Sequence, residues 1–369
     1  MTLAAGPLAH SRDPAEKGAV VKRRGGKVVF SLSLVAVIAL ITAVAGLVVG
    51  RATGSGGGGD GGGGSGGAAA GKRVDVIIKA SDSSFWQTML AGSQKAGSDY
   101  GIRVGLFGPT SETDVNEQVQ LVENSISRGV QAILLAPNSS DALNNVIDRA
   151  RKAGIKVIVA DNQVTTDHDG FIGTDNIKAG QQAGGRLCEL LKQAGKSSGD
   201  VMIESSVAGV QVLKNRDSGF KQGLQQGCPN VKVALQRYNN NDINTAASQV
   251  NDVLTANPNL IGVFADNNTS GVGAARAIKD NNAADKIPVV AFDTDPQENA
   301  ALREGTIDTL TVQNPYFFGY QGVVMAAMAT TGSVPPRNLD PGAVLADKAN
   351  MDNPEIKPLL EPPTAKAQG

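Results

Sequence analysis

The sequence predicts an α/β protein: two doubly wound parallel-sheet lobes, preceded by one transmembrane helix. Three observations carry that prediction. A 23-residue stretch without charge, 28–50, stands between Lys27 and Arg51. From Val74 onward, short apolar β-type runs alternate with amphipathic helical segments. Nearly every run then ends in carboxylates or side-chain amides.

The uncharged stretch comes first. As a helix it would be about 34 Å long, at roughly 1.5 Å per residue, enough to cross a hydrocarbon core of about 30 Å. Lys17, Lys22, Arg23, Arg24 and Lys27 precede it, and only Arg51 follows before Lys72. That asymmetry puts the N-terminus inside and the remainder outside. The alternative is a cleaved signal peptide, whose apolar region usually runs about 7–15 residues; here the run continues past the small residues at 43–45. The Arg23-Arg24 pair lies inside a basic cluster and is a weak twin-arginine signal. No Cys follows the run, so there is no cysteine for lipid attachment. The Gly-rich tract 54–67 cannot fold, because glycine loses the most backbone entropy and has nothing to bury. A linker of about 20 such residues spans on average roughly 25 Å.

The β-type runs follow at 74–79, 103–107, 132–136, 156–160, 200–204, 232–236, 261–265, 288–292 and 309–312. Helix-like stretches such as 114–128, 141–153, 176–194 and 246–256 separate them. Runs that are apolar throughout, alternating with helices, belong to a parallel sheet covered on both faces. Nine strands exceed one doubly wound domain of ordinary size, so two lobes are expected. After Thr330 the chain is proline-rich, which suits an extended strap and a loose end.

Ligands of open parallel sheets bind at the carboxyl ends of the strands. Those ends present Ser81 to Trp86, Asn138 to Asp141, Asp161-Asn162-Gln163, Asp266-Asn267-Asn268, Asp293-Thr294-Asp295 and Gln313-Asn314. Singly each would be a helix cap or turn, and for Ser139 to Asp141 that reading stands. Together they line a cleft with hydrogen-bonding groups and one aromatic wall. A sugar or polyol fits such a cleft, since carboxylates and amides pair with hydroxyls and a ring covers the apolar C–H face. Phe85 and Trp86, the only Trp of the chain, supply the wall.

Composition excludes other classes. A formal net charge of −1 points to no nucleic-acid partner. The stretch from Gly271 to Arg276 follows a strand but is only a partial dinucleotide fingerprint. There is no GxSxG elbow and no metal-ligand cluster, and the turn from Asp167 to Gly170 is too short for a calcium loop, so no enzyme, metal or cofactor is expected. Cys188 and Cys228 form no CxxC motif: they are one disulfide in an oxidising compartment, or two buried thiols.

The soluble part resembles the periplasmic sugar-binding proteins of ribose/galactose type, the type I solute receptors of ABC importers. The resemblance covers about 74–330 and rests on Ser83-Ser84-Phe85-Trp86, Ile133-Leu134-Leu135-Ala136-Pro137, Val159-Ala160-Asp161-Asn162-Gln163, Gly173-Thr174-Asp175-Asn176, Val263-Phe264-Ala265-Asp266-Asn267 and Ala291-Phe292-Asp293. It implies an aromatic clamp at Phe85 and Trp86, ring-hydroxyl carboxylates at Asp161 and Asp293, an amide at Asn267 and a late glutamine at Gln313. Ser83 and Ala136 stand where the ribose pattern has Asn, and Asn162 where it has Arg. Lys214 falls at the ligand-binding Arg, with Arg216 as a more structural arginine. At Asn241 a second-lobe aromatic is missing, although Tyr238 is close. An ammonium does not replace a bidentate guanidinium, so these exchanges point away from ribose and keep a hydroxyl-rich small ligand.

The resemblance also implies a three-strand hinge, with crossovers near Asp175, near Gln313 and within 335–346. The expected organisation is a cytoplasmic basic tail 1–27, an anchor or uncleaved signal 28–50 and a linker 51–72. The first lobe follows at 73–174 plus 314–340, the second at 175–313, with a hinge return and loose tail at 341–369. The expected molecule is an extracytoplasmic monomer, held in the plasma membrane by its N-terminal helix. It would deliver a monosaccharide or polyol to an ABC permease and ATPase. The alternative is a ligand-presenting sensor for a membrane kinase or chemoreceptor.

Overall fold

Buried strands decide the architecture. Val74, Val76, Ile77 and Ile78 are fully buried, as are Ile133, Leu134 and Leu135. Side chains of a strand alternate between faces, so burial at consecutive positions requires cover on both sides of the sheet. In the computed structural model the described residues are 68–368; the membrane span and the Gly-rich tract expected from the sequence lie outside them. Among the described residues no helix is long and apolar enough to cross a membrane.

The first sheet takes β1 (Arg73–Ile77), β2 (Arg103–Phe107), β3 (Ala132–Leu135), β4 (Lys156–Ala160) and β5 (Gly170–Ile172), in the order β2-β1-β3-β4-β5 and all parallel. Helices α1 (Ser84–Tyr100), α2 (Val115–Ser127) and α3 (Asn144–Lys152) connect its strands.

The second sheet has the order β11-β10-β9-β8-β6-β7. Its strands are β6 (Gly199–Ser205), β7 (Val231–Tyr238), β8 (Leu260–Ala265), β9 (Val289–Phe292), β10 (Thr309–Val312) and β11 (Val344–Ala346), only the last antiparallel. Around it run α4 (Asn176–Gln193), α5 (Gln211–Gly227), α6 (Ile243–Ala256), α7 (Asn268–Asp280) and α8 (Pro296–Glu304). α9 (Pro315–Thr330) returns to pack on α1, β3 and β4.

The chain passes between the sheets after β5, after β10, and between Leu339, which bridges to Ile172 beside β5, and β11. β5 and β11, of three residues each, are strands that the sequence did not predict; they are too short to show a period. The end of the chain departs from the loose tail expected after 341. α10 (Lys357–Leu360) buries Leu360 in the second lobe, and the Leu360 carbonyl accepts from Thr294 Oγ1 and Asn299 Nδ2. The strand-like segment beyond it then crosses to the first lobe, where Ala365 N–H donates to the Gln87 carbonyl and Gln368 N–H to the Leu106 carbonyl. Pro362 and Pro363, read from the sequence as breakers, keep this segment extended, and its backbone finds partners on both lobes.

Each lobe contains one pair of helices packed backbone to backbone. A Cβ on Gly180 of α4 would lie 2.2 Å from the Arg216 carbonyl of α5, and one on Gly319 of α9 would lie 1.8 Å from the Met89 carbonyl of α1. Only glycine permits either approach. The first sets the height of Arg216 over the sheet, and the second fixes the helix that begins with Phe85 and Trp86.

Cys188 of α4 and Cys228, which ends α5, are joined by a disulfide with a Cα–Cα distance of 5.7 Å. Of the two readings open from the sequence, the bonded one is present. The bond closes a separation of 40 residues, and in the chain-entropy account a loop of that size is worth about 4 kcal/mol. Replacing both cysteines by serine is expected to lower the urea-unfolding free energy by roughly 2–4 kcal/mol. The native protein should take up no alkylating reagent until it is reduced.

Candidate functional site

Two carboxylates enter the cleft from equivalent places in the two lobes. Asp161 directly follows β4 and Asp293 directly follows β9, with backbone φ of 62° and 75°. Left-handed backbone costs a non-glycine residue about 1 kcal/mol or more, and it persists where the surroundings impose it. Here the imposing bonds match: Asp161 N–H donates to the Ile172 carbonyl at 2.9 Å, and Asp293 N–H to the Thr311 carbonyl at 3.0 Å. The next strand thus holds each turn, and each side chain points off the carboxyl edge of its sheet.

Each carboxylate has a buried cation. Lys79, at the end of β1, donates from Nζ to Asp161 Oδ2 at 2.6 Å, with both side chains 4% exposed. Arg216 Nη1 lies 3.7 Å from Asp293 Oδ2, and Gln313 Nε2 donates to Asp293 Oδ1 at 2.6 Å. Arg216 is itself fixed: Nε donates to Asn176 Oδ1, Nη1 to the Asp266 carbonyl, both at 2.8 Å, and the guanidinium stacks 4.3 Å from the Phe292 ring centre. Burial pushes the Asp293 carboxyl above its usual range, and Arg216 and Gln313 pull it back. Gln313 Oε1 is buried and has no hydrogen-bond partner among the described residues.

The aromatic wall stands opposite. Phe85 and Trp86 pack edge to face at 4.7 Å in the first turn of α1, and Phe85 also meets Phe318 of α9. Trp86 Nε1 donates to Glu112 Oε1 at 2.6 Å, and Lys79 Nζ lies 5.3 Å from the indole centre. Ser83 is the N-cap of α1, but its hydroxyl makes no capping bond. Asn267 caps α7 by accepting from Ser270 N–H.

These groups line one cavity. Of the site residues expected from the sequence, Ser83, Phe85, Trp86, Asp161, Asn267, Asp293 and Gln313 border it. Three do not. Lys214 is exposed, whereas Arg216, expected as structural, lines the cavity. Two positions along a helix are roughly 200° apart, so only one of the pair can face inward. Asn162 turns away from the cavity: its Nδ2 points to the Pro137 carbonyl and Ser140 Oγ, a direction set by the left-handed turn at Asp161. Asn241 lies at the cleft mouth, where its Oδ1 accepts from Ser206 Oγ and Asn267 Nδ2, so it supports lining groups from outside. Tyr238 is 41% exposed and bonds Gln236.

The cavity also holds groups that the sequence reading passed over: Lys79, Glu112, Ser206, Asn268, and the apolar Val210, Val212 and Leu213. Lys79 had a legible signal, a charge closing an otherwise apolar strand. Glu112 had none, because it sits in an irregular loop. Gly271 and Gly273, the partial fingerprint, lie inside α7; a Cβ there would strike Glu298 and Ala246.

A family model described as a periplasmic binding protein domain matches residues 74–333. A carbohydrate transporter solute binding protein from Agrobacterium radiobacter, solved in complex with D-arabinose, is 35% identical and superposes at a TM-score of 0.75, over 78% of this chain and 98% of that one. An ABC transporter solute binding protein from Agrobacterium vitis with bound D-fucose is 31% identical, with a TM-score of 0.73 over 78% of this chain and 99% of that one. The D-allose-binding periplasmic protein of Escherichia coli is 26% identical over 281 residues, 74% of this chain and 89% of its own length.

Beneath the second-lobe half of the site lies a buried acidic network. Glu204 Oε1 accepts from Asn239 Nδ2, which also donates to Ser270 Oγ, and Asp266 accepts from Ser205 Oγ and Ser206 N–H. Burial raises Glu204 to about 7 and pushes Asp266 well up. A folded-state value above the unfolded one contributes stability at low pH that is lost as pH rises through the folded value. Unfolding free energy should therefore fall between about pH 4.5 and pH 7, by on the order of 3 kcal/mol for Glu204. Urea titrations across that range should show the fall, and Glu204→Gln should flatten it.

Proposed function

Because the chain belongs to the periplasmic binding protein family, we propose that it is an extracytoplasmic solute receptor that binds a monosaccharide or polyol between two closing lobes and passes it to an ABC-type importer. One observation carries the reading. Two buried carboxylates, each already paired with a cation, face one cavity from equivalent strand ends, with an indole as its wall. Fixed charges of that kind polarise ring hydroxyls, and the indole covers the apolar face of the ring. The unpartnered Gln313 Oε1 supplies an acceptor for one more hydroxyl.

The relatives described above are binding proteins whose names speak of sugars or of transport, which favours delivery to a permease over sensing. No catalytic residue enters the reading. The ligand is held by Ser83, Phe85, Trp86, Asp161, Asn267, Asp293 and Gln313, joined by Lys79 and Arg216. The lobes, 73–174 with 314–340 and 175–313, move as units about the three crossings, so ligand favours the closed form by touching both. The receptor works as a monomer, and the stretch 28–50 holds it at the plasma membrane, with the linker 51–72 as its leash.

A panel of neutral monosaccharides and polyols should contain at least one that shifts Trp86 emission and raises the melting temperature of the full-length protein. Asp161→Ala and Asp293→Ala should each weaken that ligand by roughly 5- to 150-fold, equivalent to about 1–3 kcal/mol, in protein that keeps a cooperative melting transition. A panel that moves neither signal would overturn the reading.

A further inference from the structure

The cleft carries negative charge that its ion pairs leave uncancelled. Inside the cavity, Asp161 is paired with Lys79 and Asp293 with Arg216. Glu112 is different: its partner among the described residues is the neutral indole N–H of Trp86, and no cation pairs with it there. At the mouth, Asp82, Asp242 and Asp295 stand with one guanidinium, that of Arg276, which itself bonds Gln297 and Asn244. Six carboxylates thus border the path into the cavity against three cations, in a chain whose formal net charge is only −1.

These charges do not count equally. Asp242 and Asp295 accept backbone N–H groups as helix caps, and the mouth is wet enough for salt to screen it. Glu112 acts within a nearly dry cavity, where the same charge is felt more strongly. Its carboxylate adds its own repulsion to Asp293, across the cleft.

We propose that this receptor takes neutral or cationic sugars and refuses acidic ones, and that Glu112 is the residue that sets the selection. The proposal rests on the sugar-receptor reading and names the substrate class for that site. A uronate or aldonate carboxylate would enter past the acidic mouth and meet Glu112 with no free cation to receive it, and selection by such a repulsive element needs no contact of its own with the right ligand. An amino sugar would find a partner in the same carboxylate. Glu112 also fixes the tilt of Trp86, which gives its substitution a readout that needs no sugar.

The test uses the full-length protein, with D-galactose and D-glucose against D-galacturonate and D-glucuronate, and D-glucosamine as the cationic member. Wild type should prefer the better neutral sugar over its uronate by at least roughly 30-fold. Glu112→Gln should shrink that ratio about tenfold while moving neutral-sugar affinity only a few-fold, because its amide oxygen still accepts the indole N–H. Without ligand, Glu112→Ala should shift Trp86 emission and Glu112→Gln should restore it. A uronate bound as tightly as its neutral parent, or a ratio unchanged in Glu112→Gln, overturns the proposal. Unshifted emission in Glu112→Ala overturns the part assigned to Trp86. If no sugar of any charge binds wild type, the receptor reading itself falls and this selection falls with it.

Discussion

A carboxylate buried at the end of a parallel strand is costly unless a cation meets it there, and the described part of the molecule is arranged to meet that demand twice. Lys79 reaches Asp161 from the neighbouring end of β1, within the first sheet. Arg216 reaches Asp293 from α5, braced by Asn176, the Asp266 carbonyl and the Phe292 ring. Removing either partner would leave an uncompensated buried charge, which typically costs about 3–5 kcal/mol. The pairs thus tie the cleft surface to the cores beneath it. Gly180 belongs to the same constraint, because the close approach of α4 to α5 puts Arg216 within reach of the sheet edge.

The equivalence of the two halves is physical as well as topological. In both lobes the carboxylate sits in a left-handed turn whose N–H is taken by the adjacent strand, β5 in one case and β10 in the other. Those two strands are also the ones after which the chain leaves its sheet for the other lobe. Ligand groups and crossings are therefore separated by one or two residues: Gln313 binds Asp293 and stands in a crossing at once. In a receptor that closes on its ligand, contact at these carboxylates bears directly on the segments that must bend. The terminal segment that reaches Gln87 and Leu106 adds a further link between the lobes.

Much of this was legible in the sequence because strand ends of parallel sheets carry ligands and apolar runs mark the strands. Asp161, Asp293, Asn267, Gln313 and the pair Phe85-Trp86 follow from that rule. The failures lie where a side chain's direction depends on something other than its place in the order. Lys214 and Arg216 are two residues apart, and only the packing of α5 on α4 says which one faces in. Asn162 is diverted by the backbone turn at its neighbour. Glu112 belongs to a loop without periodicity, so nothing in its surroundings marks it. β5 and β11 are too short to show alternation, and the proline-rich end hid a segment whose backbone is paired on both lobes.

The central claim is that one small ligand is read jointly by Asp161 from the first lobe and Asp293 from the second. A crystal structure of the protein with a bound neutral sugar tests it most directly. The account predicts a single ring with hydroxyls within hydrogen-bond distance of both carboxylates and its apolar face on Trp86. A ring bound to one lobe alone, or placed outside the space between the two carboxylates, would contradict it.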